Sequence, residues 1–177
     1  MAEVEHRGGA YSPVPEMESH IAKVAEWLRC GETFGLLMCG VPGNGKTTMM
    51  KAIRSLVSFV GLKDDDNRPA GLTISDAREV ARLSRDDYAK FRLLCDRTML
   101  GIDDLGLEPA EVLDYGNAIS PLTDLLTHRY DRQLVTVVTT NLTPAEIREK
   151  YRDRIADRFN EMMTKIIFRN GSFRARK

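Results

Sequence analysis

The fold of this chain is decided by one stretch of its sequence, Gly40-Val41-Pro42-Gly43-Asn44-Gly45-Lys46-Thr47. The stretch fits the phosphate-binding pattern Gly-x-x-x-x-Gly-Lys-Thr. Residues 34–39 before it predict a buried strand, and residues 48–53 after it predict the first turns of a helix. Glycines leave backbone N–H groups free to surround a polyphosphate, and the helix N-terminus adds the positive end of its dipole. The stretch, together with Thr48, therefore predicts a binding site for a nucleoside triphosphate.

Two side chains of this loop have distinct expected roles. Lys46 is expected to reach the β- and γ-phosphates, and the hydroxyl of Thr47 is expected to bind Mg²⁺. The expected ligands of the site are therefore ATP and Mg²⁺.

A pair of acidic residues follows the apolar run 98–102, which predicts a second buried strand. In a chain that has a phosphate loop, Asp103 and Asp104 at this position match a Walker B motif. Asp103 is expected to hold Mg²⁺, directly or through its water. Asp104 is expected to orient and deprotonate the attacking water. Glu108 is the alternative base.

Three polar residues later in the chain are candidates to complete the site. Asn141 follows the predicted strand 134–139, which we expect between the two strands above, and its amide suits contact with the γ-phosphate or its water. Arg154 and Arg158 are four residues apart on a predicted helix and share a face. Either they pair with neighbouring aspartates, or one is an arginine finger for the nucleotide of a neighbouring subunit.

Predicted strands and helices alternate along the chain. Strands are expected at residues 35–39, 72–75, 98–102, 134–139 and 166–168. Helices are expected at residues 16–29, 48–60, 76–83, 85–95, 117–130 and 151–163, with a capping box of Thr143 and Glu146 opening another. The predicted apolar face of the first helix is Met17, Ile21, Val24, Ala25 and Leu28.

This alternation predicts an α/β fold in which helices cover both faces of a parallel sheet and ligands bind at the carboxyl ends of the strands. Residues 1–15 are expected to form an N-terminal arm, and residues 16–177 a single core.

Composition limits the class of protein further. The length of 177 residues suits one domain, and 26 basic against 26 acidic residues give no overall field that would attract nucleic acid. Three cysteines without Cys-x-x-Cys spacing argue against a disulfide or zinc framework. The first residues show no apolar core of the kind a signal peptide has, and no apolar run approaches the length of a membrane helix. We expect a cytoplasmic protein without a membrane segment.

Five motifs carry a resemblance to one family. They are Gly-Val-Pro-Gly-Asn-Gly-Lys-Thr, Gly-Ile-Asp-Asp-Leu-Gly, Thr-Thr-Asn-Leu, Arg-Ile-Ala-Asp-Arg-Phe and Gly-Ser-Phe-Arg. In this order they resemble the DnaC/IstB group of AAA+ ATPases, which are helicase loaders and transposition helper ATPases. The resemblance covers about residues 35–174. It implies a P-loop AAA+ core with a five-stranded parallel sheet and no substantial C-terminal lid.

The same resemblance implies roles for individual residues. Asn141 corresponds to the sensor-1 residue, and Arg154 is favoured over Arg158 as the finger. Arg174 corresponds to the closing arginine that senses nucleotide. Residues 76–95 correspond to the DNA-binding insertion of the group. Its basic residues here are Arg78, Arg82, Arg85, Lys90 and Arg92.

The partners implied by the resemblance are further subunits of the same chain, single-stranded DNA, and a replicative helicase or a transposase. Hydrolysis is expected to be slow and stimulated by DNA or a partner, because Asp104 is shorter than the glutamate common at its position. Two other hypotheses remain open. One is a small P-loop kinase of nucleotides or metabolites, and the other is a nucleotide-gated scaffold that does not hydrolyse ATP.

Overall fold

Strands and helices alternate through most of this chain. A computed structural model describes residues 2–5, 14–63, 67, 69–114 and 117–173. The helices are α1 Ala2–Glu5, α2 Pro15–Cys30, α3 Lys46–Val60, α4 Ala77–Asp86, α5 Tyr88–Cys95, α6 Pro121–Asp131 and α7 Pro144–Met162. The strands are β1 Gly35–Gly40, β2 Leu72–Asp76, β3 Met99–Leu105, β4 Val112–Asp114, β5 Asn117–Ile119, β6 Val135–Thr140 and β7 Met163–Phe168.

The central sheet has five parallel strands in the order β2-β3-β6-β1-β7. This confirms the predicted α/β class and the five-stranded parallel sheet. It also confirms that β6 lies between β1 and β3. The carboxyl ends of these three strands therefore lie side by side at one edge of the sheet, where open α/β sheets bind ligands.

Helices cover the two faces of the sheet, and β1 shows how its sequence allows this. Leu36 and Met38 pack against α2 and α3 on one face, whereas Leu37 and Cys39 pack with α4 to α7 on the other. Because successive side chains of a strand point to opposite faces, a strand covered on both sides must be apolar throughout. Burial of each large aliphatic side chain contributes about 1.5–3 kcal/mol.

A buried arginine, Arg129, stabilises the end of the sheet opposite the predicted site, where β6 begins. Arg129 of α6 is fully buried and donates to the carbonyl oxygens of Cys95, Arg97 and Val135 and to Oγ1 of Thr136. Burial lowers its pKa to about 10, so the guanidinium stays charged at neutral pH. Arg129 thus joins the end of α5 to the start of β6.

The prediction of one helix over residues 117–130 is wrong at its start. Residues 117–119 are strand β5, which pairs antiparallel with β4, and the helix begins at Pro121. Proline suits this position because the first turn of a helix needs no N–H donor there. The hairpin of β4 and β5 carries no period-two signal long enough to be recognised.

The inward face of the first core helix differs from expectation, whereas the start of the last helix does not. In α2 the buried residues are His20, Val24 and Trp27, while Ile21 and Leu28 of the predicted apolar face are exposed. The indole of Trp27 donates to the carbonyl oxygen of Thr33, and this bond helps to turn the 20/24/27 face inward. The predicted capping box of Thr143 and Glu146 is confirmed at the start of α7.

The two helices expected after Thr143, one opening at the capping box and one over residues 151–163, are confirmed as the two parts of α7, whose backbone is not helical at Arg152. Helix α7 runs from Pro144 to Met162 with a kink at Arg152, which has a φ of 66° and a ψ of 170°. It leads directly into β7, so that strand begins three residues before its predicted start at residue 166.

Within the predicted N-terminal arm, residues 2–5 form α1, which lies against α3. The hydroxyl of Ser55 donates to Glu3 at 2.6 Å. Residues 1 and 6–13 lie outside the described residues. None of the helices in the described part of the chain is long and apolar enough to cross a bilayer.

The three free cysteines give a direct test of this core. Cys30 is exposed, whereas Cys39 and Cys95 are buried, and burial raises the pKa of both thiols, that of Cys95 to about 11. We expect an excess of a thiol-specific reagent at pH 8 to modify one thiol per native chain rapidly and all three in urea. Cys30→Ser is the matched control and should lose only the fast phase. Rapid modification of three thiols in the native protein would contradict the assigned core.

Candidate nucleotide-binding site

Loop 41–45, between β1 and α3, adopts backbone angles that favour glycine. Gly43 and Gly45 have φ of 80° and 101°, and Gly40 before the loop has φ of 150°. A Cβ atom on Gly40 would lie 2.5 Å from the carbonyl oxygen of Phe168. The glycines of the motif are therefore required by both conformation and space, and α3 begins at Lys46 directly after them.

The ammonium group of Lys46 lies at the centre of this loop. Its Nζ donates to the carbonyl oxygens of Gly40 at 2.6 Å and Val41 at 2.9 Å. It also donates to the side-chain oxygens of Asn44 at 3.0 Å and Asn141 at 2.9 Å. These acceptors are neutral, so an incoming phosphate would offer the charge a stronger partner. The structure thus brings Lys46 and Asn141 together, although 95 residues separate them.

Thr47 and Asp103 meet beside Lys46. The hydroxyl of Thr47 donates to Oδ1 of Asp103 at 3.0 Å, and the hydroxyl of Thr139 donates to the same oxygen at 2.6 Å. Among the described residues, Oδ2 of Asp103 accepts no hydrogen bond. A hydroxyl and a carboxylate fit Mg²⁺, which prefers oxygen ligands and is usually held by one or two protein groups and the substrate phosphates.

Asp104 has an unusual backbone and an acidic neighbourhood. Its φ of 54° lies in the left-handed region, which costs a non-glycine residue about 1 kcal/mol or more. Its N–H donates to the hydroxyl of Thr139 at 2.9 Å. Burial raises the pKa of the Asp104 carboxyl, and the charges of Asp103 and Asp76 raise it further. A raised pKa suits a group that must accept a proton.

Glu108, the alternative base, is committed to a buried cluster. Its carboxylate accepts hydrogen bonds from the N–H of Gly106 and the hydroxyl of Tyr151 and pairs with Lys150 at 3.3 Å. Nζ of Lys150 also donates to the carbonyl oxygens of Gly106 and Glu108, both at 2.6 Å. This cluster ties the loop after β3 to α7, and it argues against a catalytic role for Glu108.

Known structures share this arrangement of strands. The DnaC helicase loader superposes with a TM-score of 0.68 over 90% of this chain and 94% of its own, at 19% identity. DnaI superposes with a TM-score of 0.65 over 89% of this chain and 87% of its own, at 18% identity. The chain has the P-loop AAA+ fold. The resemblance to DnaC-type AAA+ proteins is thereby confirmed at the level of the fold.

A third AAA+ structure is a replication initiator. DnaA bound to AMPPCP and single-stranded DNA superposes with a TM-score of 0.61 over 84% of this chain and 44% of its own, at 15% identity. No protein-family model matches the sequence, and no curated protein matches it significantly.

The two candidate finger arginines of the AAA+ core have different surroundings. Arg158 is mostly buried, pairs with Asp131 at 3.1 Å and lies over the ring of Tyr130 at 4.7 Å. Arg154 is exposed and forms no ion pair with the residues that the structure describes. The neighbouring acids Asp153 and Asp157 pair with Arg148 instead. Arg174 lies outside the described residues.

The region after β7 holds the phosphate loop from the other side. Asn44 is fully buried and donates its amide to the carbonyl oxygen of Phe168 at 3.1 Å. Asn170 donates to the carbonyl oxygen of Asn44 at 2.9 Å, and the N–H of Phe173 donates to that of Gly43 at 2.9 Å. The roles of Thr139, Asn170 and Phe173 are not evident from the sequence, because each depends on contacts between distant residues. The available signal was that Thr139 lies in the Thr-Thr-Asn-Leu motif and Phe173 in the Gly-Ser-Phe-Arg motif.

We expect Asn44→Ala to destabilise the protein measurably. The change removes a buried donor to the carbonyl oxygen of Phe168 and one acceptor of Lys46, a loss of about 1–3 kcal/mol. The free energy of unfolding in urea measures this loss. Asn160→Ala is the control, since Asn160 is exposed and its replacement should change stability by less than about 0.5 kcal/mol. Equal effects of the two changes would contradict the role of Asn44.

Proposed function

We propose that this chain binds ATP with Mg²⁺ and hydrolyses it, as an ATP-dependent AAA+ protein of the DnaC type. The observation that carries this proposal is the convergence of four side chains, Lys46, Thr47, Asp103 and Asn141, at one edge of the sheet. An ammonium that donates to neutral oxygens of the described residues, beside a hydroxyl and a carboxylate, is suited to the triphosphate of a nucleotide. The complex of DnaA with AMPPCP supports ATP as the nucleotide.

In this proposal each side chain has one task in hydrolysis. Lys46 binds the β- and γ-phosphates, and Thr47 and Asp103 hold Mg²⁺, which neutralises phosphate charge. Asn141 orients the attacking water or the γ-phosphate. Asp104 accepts a proton from that water as the new bond to the γ-phosphorus forms and the bond to the β–γ bridging oxygen breaks, releasing ADP and phosphate. The non-hydrolysing alternative predicts ATP binding without this turnover.

We assign the arginine finger to Arg154. Arg158 is held in place by Asp131 and Tyr130, whereas Arg154 is exposed on the half of α7 that follows the kink. A finger supplied to a neighbouring subunit implies head-to-tail assembly, which gives rings or helical filaments. Lys150 and Tyr151 in the first half of α7 contact the loop after β3, so the position of α7 is linked to the Walker B strand.

Helices α4 and α5 are the proposed contact for single-stranded DNA. Three of their basic residues are paired within the chain: Arg78 with Asp76, Arg85 with Asp86, and Lys90 with Asp87. Arg82 and Arg92 are exposed and make no ion pair with the described residues, and Tyr88 is 61% exposed. Exposed cations with an exposed aromatic ring suit phosphates and unstacked bases.

The wider role proposed for the protein is replication loading or transposition, in which ATP controls its assembly on DNA or on a helicase or transposase. The helicase loader DnaC and the single-stranded DNA in the DnaA complex favour replication. A kinase of nucleotides or metabolites would instead transfer the γ-phosphate to a second substrate.

The finger assignment predicts a separation of turnover from binding. Arg154→Ala should lower the rate of ATP hydrolysis by about 10³-fold or more and change ATP affinity by less than about threefold. Arg158→Ala is the matched control and should lower stability through loss of its contacts to Asp131 and Tyr130. Steady-state phosphate release and equilibrium titration of a fluorescent ATP analogue measure the two quantities. Loss of binding together with turnover in Arg154→Ala would contradict the assignment.

A mixing experiment tests whether the finger acts between subunits. Lys46→Ala cannot hold the triphosphate but still presents Arg154, while Arg154→Ala binds ATP but lacks the finger. Mixed in equal amounts, the two inactive variants should regain measurable turnover. A mixture as inactive as its components would contradict a finger supplied by a neighbour.

A further inference from the structure

Thr139 of β6 is fully buried and contacts both Asp103 and Asp104, the two acidic residues that follow the apolar part of β3. Its hydroxyl donates to Oδ1 of Asp103 at 2.6 Å and accepts from the N–H of Asp104 at 2.9 Å. A threonine hydroxyl has one hydrogen to donate. In Thr139 this hydrogen is directed to the Asp103 carboxylate.

The pairing of β3 with β6 is irregular at this point. Ile102 pairs with Val138, but the next pair is Leu105 with Thr140. Two residues of β3, Asp103 and Asp104, therefore lie opposite the single residue Thr139. This arrangement is a β-bulge, and bulges are frequent beside active sites because they redirect a side chain.

The bulge changes where the two carboxylates point. In a regular strand, Asp103 and Asp104 would project to opposite faces of the sheet. The left-handed φ of 54° at Asp104 interrupts that alternation. The Asp104 N–H, which the bulge removes from the regular ladder, finds its acceptor in the Thr139 hydroxyl.

We propose that Thr139 is a positioning residue of the nucleotide site, which sets the direction of Asp103 for Mg²⁺ and of Asp104 for the attacking water. This inference rests on the proposed function. Thr139 fixes Oδ1 of Asp103, as does Thr47, and leaves Oδ2 without a hydrogen bond to the described residues. The same hydroxyl holds the main chain of Asp104 in its left-handed conformation.

Three variants separate this role from a general contribution to the fold. Thr139→Val keeps the shape and removes the hydroxyl, while Thr139→Ser keeps the hydroxyl. Thr140→Val is the matched control, because Thr140 is equally buried. Within the described residues its hydroxyl bonds only to main-chain groups, the carbonyl of Leu105 at 2.6 Å and the N–H of Leu142 at 3.0 Å.

The first readout is the Mg²⁺ concentration that gives half of the maximal enhancement of ATP-analogue binding. Loss of a group that orients a metal ligand costs about 10–100-fold in metal affinity or activity. Thr139→Val should therefore need at least tenfold more Mg²⁺, while its Mg²⁺-free nucleotide affinity stays within about twofold of wild type. Thr139→Ser should match the wild type, and Thr140→Val should lower the unfolding midpoint without changing the Mg²⁺ requirement.

The second readout is steady-state hydrolysis. Thr139→Val should lower kcat tenfold or more with little change in KM, and Thr139→Ser should restore it. A wild-type Mg²⁺ requirement and kcat in Thr139→Val would overturn the proposal, as would an equal rise in Mg²⁺ requirement in Thr140→Val.

The same measurements separate failure of this inference from failure of the proposed function. If the wild type binds nucleotide but does not hydrolyse it, the proposed hydrolysis fails, and the Mg²⁺ requirement alone decides the role of Thr139. If the wild type binds no nucleotide, both proposals are overturned.

Discussion

The candidate site depends on the placement of β6 between β1 and β3. This order puts the phosphate loop, Asn141 and the acidic pair at one edge of the sheet, although they come from distant parts of the chain. Lys46 and Asn141 meet across one strand boundary, and Thr139 and Asp103 meet across the next. A parallel sheet alone would not bring these groups into contact; the order of its strands does.

The phosphate loop is stabilised both by Lys46 and by residues at and after the end of β7. Asn44 joins Lys46 to the last residue of β7, and Asn170 and Phe173 bond to carbonyl oxygens of the loop. These contacts use carbonyl oxygens of the loop as acceptors and none of its N–H groups as donors.

Much of this architecture could be predicted because its signals are local. The glycine pattern with Lys46, the apolar strands and the capping box at Thr143 each depend on residues close in sequence. The pairing of β4 with β5 could not be predicted, because strands of three residues are too short to show an alternating pattern. The inward face of α2 could not be predicted either, because the ring of His20 packs against Phe168, which is distant in the sequence. The full burial of Arg129 could not be predicted, because it donates to three carbonyl oxygens that no local pattern marks.

The candidate site shows the same division. The sequence motifs predicted Lys46, Thr47, Asp103 and Asn141 as site residues, and the structure places these four together. The spacing of Arg154 and Arg158 could not distinguish the two, because the difference lies in Asp131 and Tyr130, which contact Arg158 and not Arg154. The bulge at Asp103 and Asp104 could not be predicted from the sequence either, because it is recognised only from the register of β3 against β6.

The central claim is that the AAA+ core hydrolyses ATP at a site completed by a second subunit. The most direct test is the rate of phosphate release per subunit, measured with saturating ATP and Mg²⁺ over about a thousandfold range of protein concentration. If a second subunit supplies the finger, the rate should rise with protein concentration and then reach a plateau, because a single subunit would lack the finger. A rate per subunit that is constant over the whole range would contradict a finger supplied by a second subunit.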